Sequence, residues 1–565
     1  MSAPQHTVLL LPFTAWADKS ARDIEAIRRV HGIELSEYLV NRAVNLSPDV
    51  IQIQTDKTHT LNPGRFVVRF VPRGEAKLIQ PHDLVLIKLN AGDQSSRDVS
   101  IMVGLVMRVT NAVRVSDRQA IQHIEIHGQD LARWLYVNRN FFYFYTGMGM
   151  DAKDGPLELK ERERLWQSLF PNRGQANLPS AKVLENILID YIGRIFPRVG
   201  EVFTWHPVFT ESTEAKFKSD DPVLGLGERY IPRNDLAAYS GSVANLLEEH
   251  VLDYFGELWA DTTPAGGFRL YYRRRPFDQS DWQSFRPHAS EETRQLHEIP
   301  DDQILMWDIG KNDDEYYNFI SILPWIYATD TSIMPLVMKS ALRLDVGSIK
   351  NRGLRPLLVS APYLDSVEDI SRAKLSSDYN ALIQHGAFVS ELVRGRVPAS
   401  QIESTVSQVQ ALRGRVYQVA DEWGSVMWRW YSQLDRYYNG RIVIKGNPSI
   451  RVGHIVKLLS DTHKLFPEPY CFYVLSVSHD YDVHIGRYTT SLALGRGQAA
   501  DPAKFVKPVT DGRADIADLD LEKLEGRLQN SRILNHHPFT GLDAGVIIEG
   551  QSFLELSVGR ERDLQ

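Results

Sequence analysis

The sequence predicts an α+β, multidomain chain: a small antiparallel barrel or sandwich first, helical and mixed regions in the middle, a second strand-rich region, and a short C-terminal extension. Three observations predict it. At 565 residues the chain exceeds what one hydrophobic core can serve, so about three to five domains are expected. Short β-branched runs broken by Gly, Pro, Asn and Asp cluster near the start and again near the end. Between those clusters the apolar spacing changes to that of helices.

Residues 1–139 carry the first strand cluster: Phe66–Pro72, Asp83–Leu89, Ser100–Thr110 and Ala120–Gly128. Gly128-Gln129-Asp130 then opens a helix at LARWL. In residues 140–330, Leu157–Phe170, Ser180–Phe196 and Gly241–Asp261 show helical apolar spacing. The turn cluster TTPAGG follows and leads into a strand, Phe268–Phe277. Alternation puts Arg273 and Arg275 on one face of that strand and Arg274 on the other, the pattern of a solvated or subunit-facing strand. Asn312–Trp325 is a polar turn feeding an apolar strand.

Residues 331–440 hold entry strands and long helices. From Ile402 to Trp430 apolar residues recur at alternating threes and fours, which predicts one helix over Ser400–Tyr438 leading into a strand at Arg441. Such a seam packs either against its own domain or against another subunit. Asn439-Gly440 is the expected helix end. Residues 441–499 then give Arg441–Lys445, a Gly-Asn-Pro turn, Ile455–Leu458 and two long apolar runs. Alternation assigns Tyr473, Leu475 and Val477 to one face of the first run, and Phe472, Val474 and Ser476 to the other. In residues 500–565, Pro502 and Pro508 predict an extended linker over Ala500–Thr510. A helix over Ala514–Gln529 and a last hairpin follow.

The net charge of −7 argues against a general nucleic-acid coat, which needs a basic surface. A single cysteine, Cys471, excludes internal disulfides and cysteine-based zinc sites and fits folding in a reducing cytoplasm. No apolar run approaches the ~20 residues of a membrane span, and the first residues lack the basic start of a secretory signal. His123 and His127 stand two pleats apart in a strand, and His536 and His537 are adjacent, so neither pair predicts a metal site. Gly225-Leu226-Gly227 follows no strand and lacks the third glycine of a dinucleotide loop. Asp151–Gly155 reads as a surface turn, and the carboxylates of Asn312–Tyr317 have no adjacent nucleophile. The expectation is a protein without catalytic, cofactor or metal residues.

One region is strongly patterned without any such signature. It contains Gly446-Asn447-Pro448, then Ile450-Arg451-Val452-Gly453, then Phe472-Tyr473-Val474-Leu475-Ser476-Val477-Ser478-His479. It ends with Thr490-Ser491-Leu492-Ala493-Leu494-Gly495-Arg496-Gly497. These stretches resemble the second tube-like barrel of contractile-tail baseplate hub proteins, a family that includes phage tail hubs and the hub part of VgrG-type spikes. His454 stands where the family usually has Asp. IEIHGQDLARWL resembles the end of the family's first barrel, and the stretch from Leu246 to Phe277 its middle domain.

The resemblance implies two tube-like antiparallel barrels per chain. It marks Gly446, Pro448, Arg451, Gly453, Tyr473, Val477, His479, Thr490, Leu492, Leu494, Arg496 and Gly497 as wall-building residues, with Gly495 and Gly497 releasing the chain at the barrel rim. It implies a homotrimeric ring that adapts a hexameric tail tube above to a trimeric spike below, contacts baseplate wedge proteins and lets DNA or effectors pass without specific binding. The implied place is the tail baseplate of a virion, made in the host bacterial cytoplasm, with no membrane insertion. A hub of a phage-derived injection particle, a VgrG-like secretion carrier and a spike-associated cell-wall hydrolase are the alternatives. The stretch after Gly497 is short for a hydrolase domain and lacks the repeats of a long β-helix.

Overall fold

The computed structural model describes residues 4–12, 43–73, 77–92, 98–116, 119–137, 139–141, 240–242, 244–245, 247–248, 256–264, 266–275, 282–283, 285–287, 294–311, 316–324, 342–361, 421, 424–459, 466–506 and 512. They belong to two units, residues 1–312 with 436–506, and residues 313–435 with 507–565. Most described residues are in strands.

The first unit begins with β1 (Gln5–Leu11), β2 (Val44–Asn45), β3 (Val50–Thr58), β4 (Arg65–Phe70), β5 (Leu84–Asn90), β6 (Val99–Ser116) and β7 (Gln119–Asp130). Helix α1 (Arg133–Val137) and the small pair β8 (Arg139–Phe141) and β9 (Ser240–Ser242) follow. A hairpin of β10 (Gly256–Thr262) and β11 (Phe268–Arg274) forms its own two-stranded sheet. Then come β12 (Arg286–Pro287), β13 (Gln295–Pro300) and β14 (Ile304–Gly310). The second unit supplies β15 (Phe319–Pro324), β16 (Arg343–Leu344), helix α2 (Val346–Arg352) and β17 (Pro356–Ala361). The chain returns to the first unit with β18 (Tyr438–Lys445), β19 (Ile455–Leu459), β20 (Tyr470–Asp482) and β21 (Arg487–Ala499).

Fourteen strands of the first unit join in one sheet, and twelve of them, all but the short β2 and β12, divide into two sets of six with the same order. The first set runs β1-β5-β6-β7-β4-β3, and the second runs β13-β19-β20-β21-β18-β14. Numbered within its own set, each reads 1-4-5-6-3-2. Four antiparallel pairings recur, β5–β6 with β19–β20, β6–β7 with β20–β21, β4–β7 with β18–β21 and β3–β4 with β14–β18. The irregularities recur as well. A bulge at Met107 in β6 matches one at Leu475 in β20, and a bulge at Ile51 in β3 matches one at Leu305 in β14. The first strand differs: β1 is antiparallel to β5, whereas β13 is parallel to β19.

Both sets must curl. β13 and β14 occupy opposite edges of the second set, yet only the short 3-10 turn Asp301–Gln303 joins them. That link reaches at most about 15 Å, whereas the edges of a flat six-stranded sheet lie about 24 Å apart. In the first set β2 pairs with β1, and Leu46 N–H donates to the Val8 carbonyl at 2.9 Å just before β3 begins, so those edges also approach. Each set encloses its own core. Val8, Phe66, Val68, Phe70, Val85, Ile87, Val106, Ile124 and Ile126 fill the first. Ile442, Ile444, Val456, Leu458, Phe472, Val474, Val477, Leu492 and Leu494 fill the second.

Several sequence expectations change. The bulge at Leu475 shifts the phase of β20, so Phe472, Val474 and Val477 face one core while Tyr473 packs on the other side with Trp282, Phe285 and Ile455. Leu475 itself is 44% exposed. The helix expected over Gly241–Asp261 is not continuous, because Ser240–Ser242 and Gly256–Thr262 are strands. Pairing of β10 with β11 through the TTPAGG turn overrides the apolar spacing there. At the end of the long helix, residues 424–431 are helical, but a turn and the 3-10 segment Leu434–Arg436 intervene before β18 opens at Tyr438. Asn439 and Gly440 lie inside that strand, where a Cβ on Gly440 would collide with the Asp308 carbonyl of β14. Pro502–Lys504 form a 3-10 turn, so the segment after β21 is not wholly extended. Gly495 and Gly497 are within β21 and not at its end. The expected helices at Leu157–Phe170, Ser180–Phe196 and Ala514–Gln529, and residues 400–420, lie outside the described residues.

In the second unit β15 pairs antiparallel with β16 and parallel with β17. Helix α2 is capped by the Asp345 carboxylate, which accepts from Ser348 N–H at 2.9 Å. Phe319, Leu344 and Ile349 form its small core. Arg343, buried beside it, donates to the Asp421 carboxylate at 2.7 Å.

Candidate functional site

The polar centre of the first unit lies where the β10–β11 hairpin meets both strand sets. Near its turn, Thr262 Oγ1 accepts from Val103 N–H at 2.9 Å, and the Pro264 carbonyl accepts from Ser100 N–H at 3.1 Å, so this end is fastened to β6. Near its base the hairpin carries Glu257 and Arg273, paired across the two strands in direct register. Both side chains are almost completely buried. Glu257 Oε2 accepts from Arg273 Nε at 2.9 Å and from the Tyr473 hydroxyl. Arg273 Nη2 donates to the Gly453 carbonyl at 2.7 Å and to the Tyr473 hydroxyl.

Aromatic faces surround the guanidinium. Its central carbon lies 5.0 Å from the Trp259 ring centre, 5.3 Å from Phe285 and 5.4 Å from Tyr473. His59, just after β3, lies tilted against Trp259 with ring centres 4.5 Å apart and places Nε2 3.7 Å from Glu257. Burial lowers the His59 pKa to about 4 against the pull of Glu257, so the ring is neutral at pH 7. Burial pushes the Glu257 carboxyl up, but His59 (once acid protonates it), Arg273, Arg275 and the Tyr473 hydrogen bond together outweigh that and hold the group below the usual range. Burial also drives the Tyr473 hydroxyl well above its ordinary value, so it stays a hydrogen-bond donor to Glu257. One carboxylate and one guanidinium thus hold three chain segments together in a dry environment.

The motif residues divide around this junction. Gly453 and Tyr473 belong to it. Gly453 has φ of +78°, and a Cβ there would sit 3.0 Å from His59 Nε2 and 3.1 Å from Arg273 Nη2, so only glycine lets the backbone approach. Arg451 extends the junction toward the first set. Its Nη2 donates to the Ser100 carbonyl, and its Nη1 lies 3.7 Å from Asp261.

His479 and Thr490 form a second buried group, next to Gly446. His479 Nδ1 lies 3.1 Å from Thr490 Oγ1 and 3.0 Å from the Tyr488 hydroxyl, and Thr490 Oγ1 accepts from Asn447 N–H at 2.9 Å. Burial, aided by Arg451, lowers the His479 pKa to about 3, which leaves a neutral ring. Gly446 lies against the Tyr488 ring, which a Cβ would enter, and the adjacent turn buries Pro448. Val477, Leu492 and Leu494 are core residues. At the end of the motif Gly497 lies beneath the Phe472 ring, and Arg496, at φ of +53°, places its guanidinium 4.3 Å from the Tyr437 ring centre.

Sequence reasoning missed Glu257 and misplaced Arg273, which is buried and not solvated. Its signal was present: Glu257 and Trp259 alternate with Leu258 and Ala260, so one face of β10 mixes a carboxylate with an aromatic. Among the described residues no group of three or more His, Cys, Asp or Glu side chains is placed to hold a metal ion. No described helix is long and apolar enough to cross a membrane.

No protein-family model matches the sequence, and no curated protein matches it. Solved structures do align. A tail protein from Neisseria meningitidis MC58 is 11% identical, with 87% of this chain and 96% of that one covered at a TM-score of 0.39. The 43 kDa tail protein of prophage MuSo2 from Shewanella oneidensis is 11% identical, with 87% and 98% covered at 0.40. A Francisella PdpA–VgrG complex is 7% identical, with 91% and 54% covered at 0.36.

Proposed function

We propose that this chain is the structural hub of a contractile phage tail: a homotrimeric ring that adapts a hexameric tail tube to a trimeric central spike and lines the channel between them. The observation that carries this reading is the duplication inside the first unit. Two strand sets share one strand order and two matched bulges. Each set is a tube-like barrel in this reading. A chain that presents the same wall twice lets three copies offer six walls, which is what a junction between six-fold and three-fold partners requires.

The charged groups of the junction support a structural role. Glu257 accepts from Arg273 and Tyr473, and Arg273 also donates to Tyr473 and to the Gly453 carbonyl, so these groups join segments of the fold to one another. The chain is therefore proposed to have no enzymatic activity, to contact tube, spike and baseplate wedge proteins, and to let DNA pass without specific binding. Its place is the baseplate of the virion, assembled in the host bacterial cytoplasm.

The test combines mass and shape. Multi-angle light scattering of the purified chain should give three protomers, and negative-stain class averages should show a ring with six similar peripheral lobes. Incubation with peptidoglycan should release no muropeptides. A monomer at tens of micromolar, or clear muropeptide release, overturns the proposal.

A further inference from the structure

The two strand sets meet through one pairing whose counterpart is missing. In β20 the residues beyond the bulge, Ser476–Asp482, leave β19 behind and pair antiparallel with β3. His479 lies opposite Thr55 there, and Tyr481 opposite Ile53. Tyr481 is 3% exposed and Ile53 fully buried. The first set has the same parts. Beyond its bulge, β6 runs past the end of β5 from Arg108 to Ser116 and pairs only with β7 among the described residues. The counterpart of β3 is β14, which pairs only with β18 among the described residues.

The matched bulges fix the correspondence. Tyr481 corresponds to Val113, and Ile53 corresponds to Trp307. Both lie bare: Val113 is 62% exposed, and Leu305, Met306 and Trp307 are 54%, 52% and 46% exposed. A strand with a free edge and this much exposed apolar surface is a template for adding another strand. The sizes are complementary. The seam inside the chain sets a large Tyr481 over Ile53, whereas the open one would set a small Val113 over a large Trp307.

We propose that β14 of one copy adds antiparallel to the outer segment of β6 in a second copy, with Val113 opposite Trp307, Ala112 opposite Asp308 and Asn111 opposite Ile309. This deepens the hub reading, because it rests on copies of the chain assembling and names the surface by which they do so. The contact is head-to-tail, since each copy offers β14 on one side and β6 on the other, and head-to-tail contacts form a ring when the rotation between copies closes. Each step between copies then repeats the step between the two sets within a chain.

The experiment is a register-specific cross-link. Two differently tagged full-length chains, both carrying Cys471→Ser, are co-expressed, one with Val113→Cys and the other with Trp307→Cys, and then oxidised. Directly opposite residues of an antiparallel pair lie within disulfide range, whereas a pair displaced by two residues does not. Val113→Cys with Trp307→Cys should therefore give a disulfide between the two tags at least tenfold more abundant than Asn111→Cys with Trp307→Cys. Separately, Trp307→Glu should convert the assembly to monomers while leaving the circular dichroism spectrum unchanged. A trimeric ring that forms no such cross-link and survives Trp307→Glu overturns the interface and leaves the hub reading standing. A wild-type chain that stays monomeric overturns both.

Discussion

The two strand sets share strand order and two bulges but differ in the charged groups they bury. The first set buries one compact ion pair, Lys57 with Asp130, next to the Gly64 carbonyl that Asp130 N–H reaches at 2.9 Å. The second set borrows its charge from the β10–β11 hairpin and spreads it over Glu257, Arg273, Tyr473 and the Gly453 carbonyl. Burial raises the Asp130 pKa against the pull of Lys57, so that carboxyl can take up a proton if its partner is removed. Arg273 has no such escape, because a guanidinium stays charged. The same wall is therefore built once around a pair that can neutralise and once around a charge that cannot. The second arrangement is the one that fastens separate segments.

Breaking the two centres should expose that difference first. Glu257→Gln leaves the buried Arg273 charge without its counter-ion and should cost about 3–5 kcal/mol, read from urea unfolding. Lys57→Met should cost less, because Asp130 can protonate. Equal losses at the two positions would erase the distinction. Next in size is Gly440→Ala, which drives a Cβ into the Asp308 carbonyl at a φ of +157°. The expected loss is about 2–3 kcal/mol, with faster proteolysis at β14 and no change at β3.

A smaller effect comes from acid. His59 and His479 are neutral in the fold, with pKa values lowered to about 4 and about 3 from an ordinary 6.5. Above pH 6.5 neither histidine favours unfolding. As the pH falls from 6.5 toward those folded values, the unfolded chain takes up protons that the fold refuses, so stability drops. By pH 5 each should cost about 2 kcal/mol. Thermal melts from pH 7.5 to 5 should show this slope, and His479→Gln should reduce it by about half. The smallest effect is at the matched bulges: Leu475→Ser and Met107→Ser should each change stability by less than about 1 kcal/mol, since Leu475 is about half exposed and Met107 is only partly buried. A large loss at either would mean that its bulge is part of a core.

Much of this was legible in the sequence. The strands at Phe66, Asp83, Ser100, Ala120 and Ile455 follow from alternation and turn residues. So do the helix entry after Asp130 and the turn at Gly446–Pro448, because local patterns state them. Val477, Leu492 and Leu494, marked by the resemblance as wall-building residues, lie in the core of the second set. What alternation could not supply was the phase beyond a bulge: one extra residue at Leu475 turns Tyr473 away from Val477 and toward Arg273.

The sequence by itself determined many of the strands, among them those at Phe66, Asp83, Ser100, Ala120, Phe268, Arg441 and Ile455, because side-chain period and turn chemistry are local. Only the tertiary structure decided that β13 and β14 join strands from Tyr438 onward, with residues 313–435 of the second unit between them in the chain. It alone decided that Glu257, Arg273 and Tyr473 meet. Those outcomes depend on pairings between residues up to hundreds of positions apart, and a buried charge looks like a solvated one until its partner arrives from elsewhere in the chain.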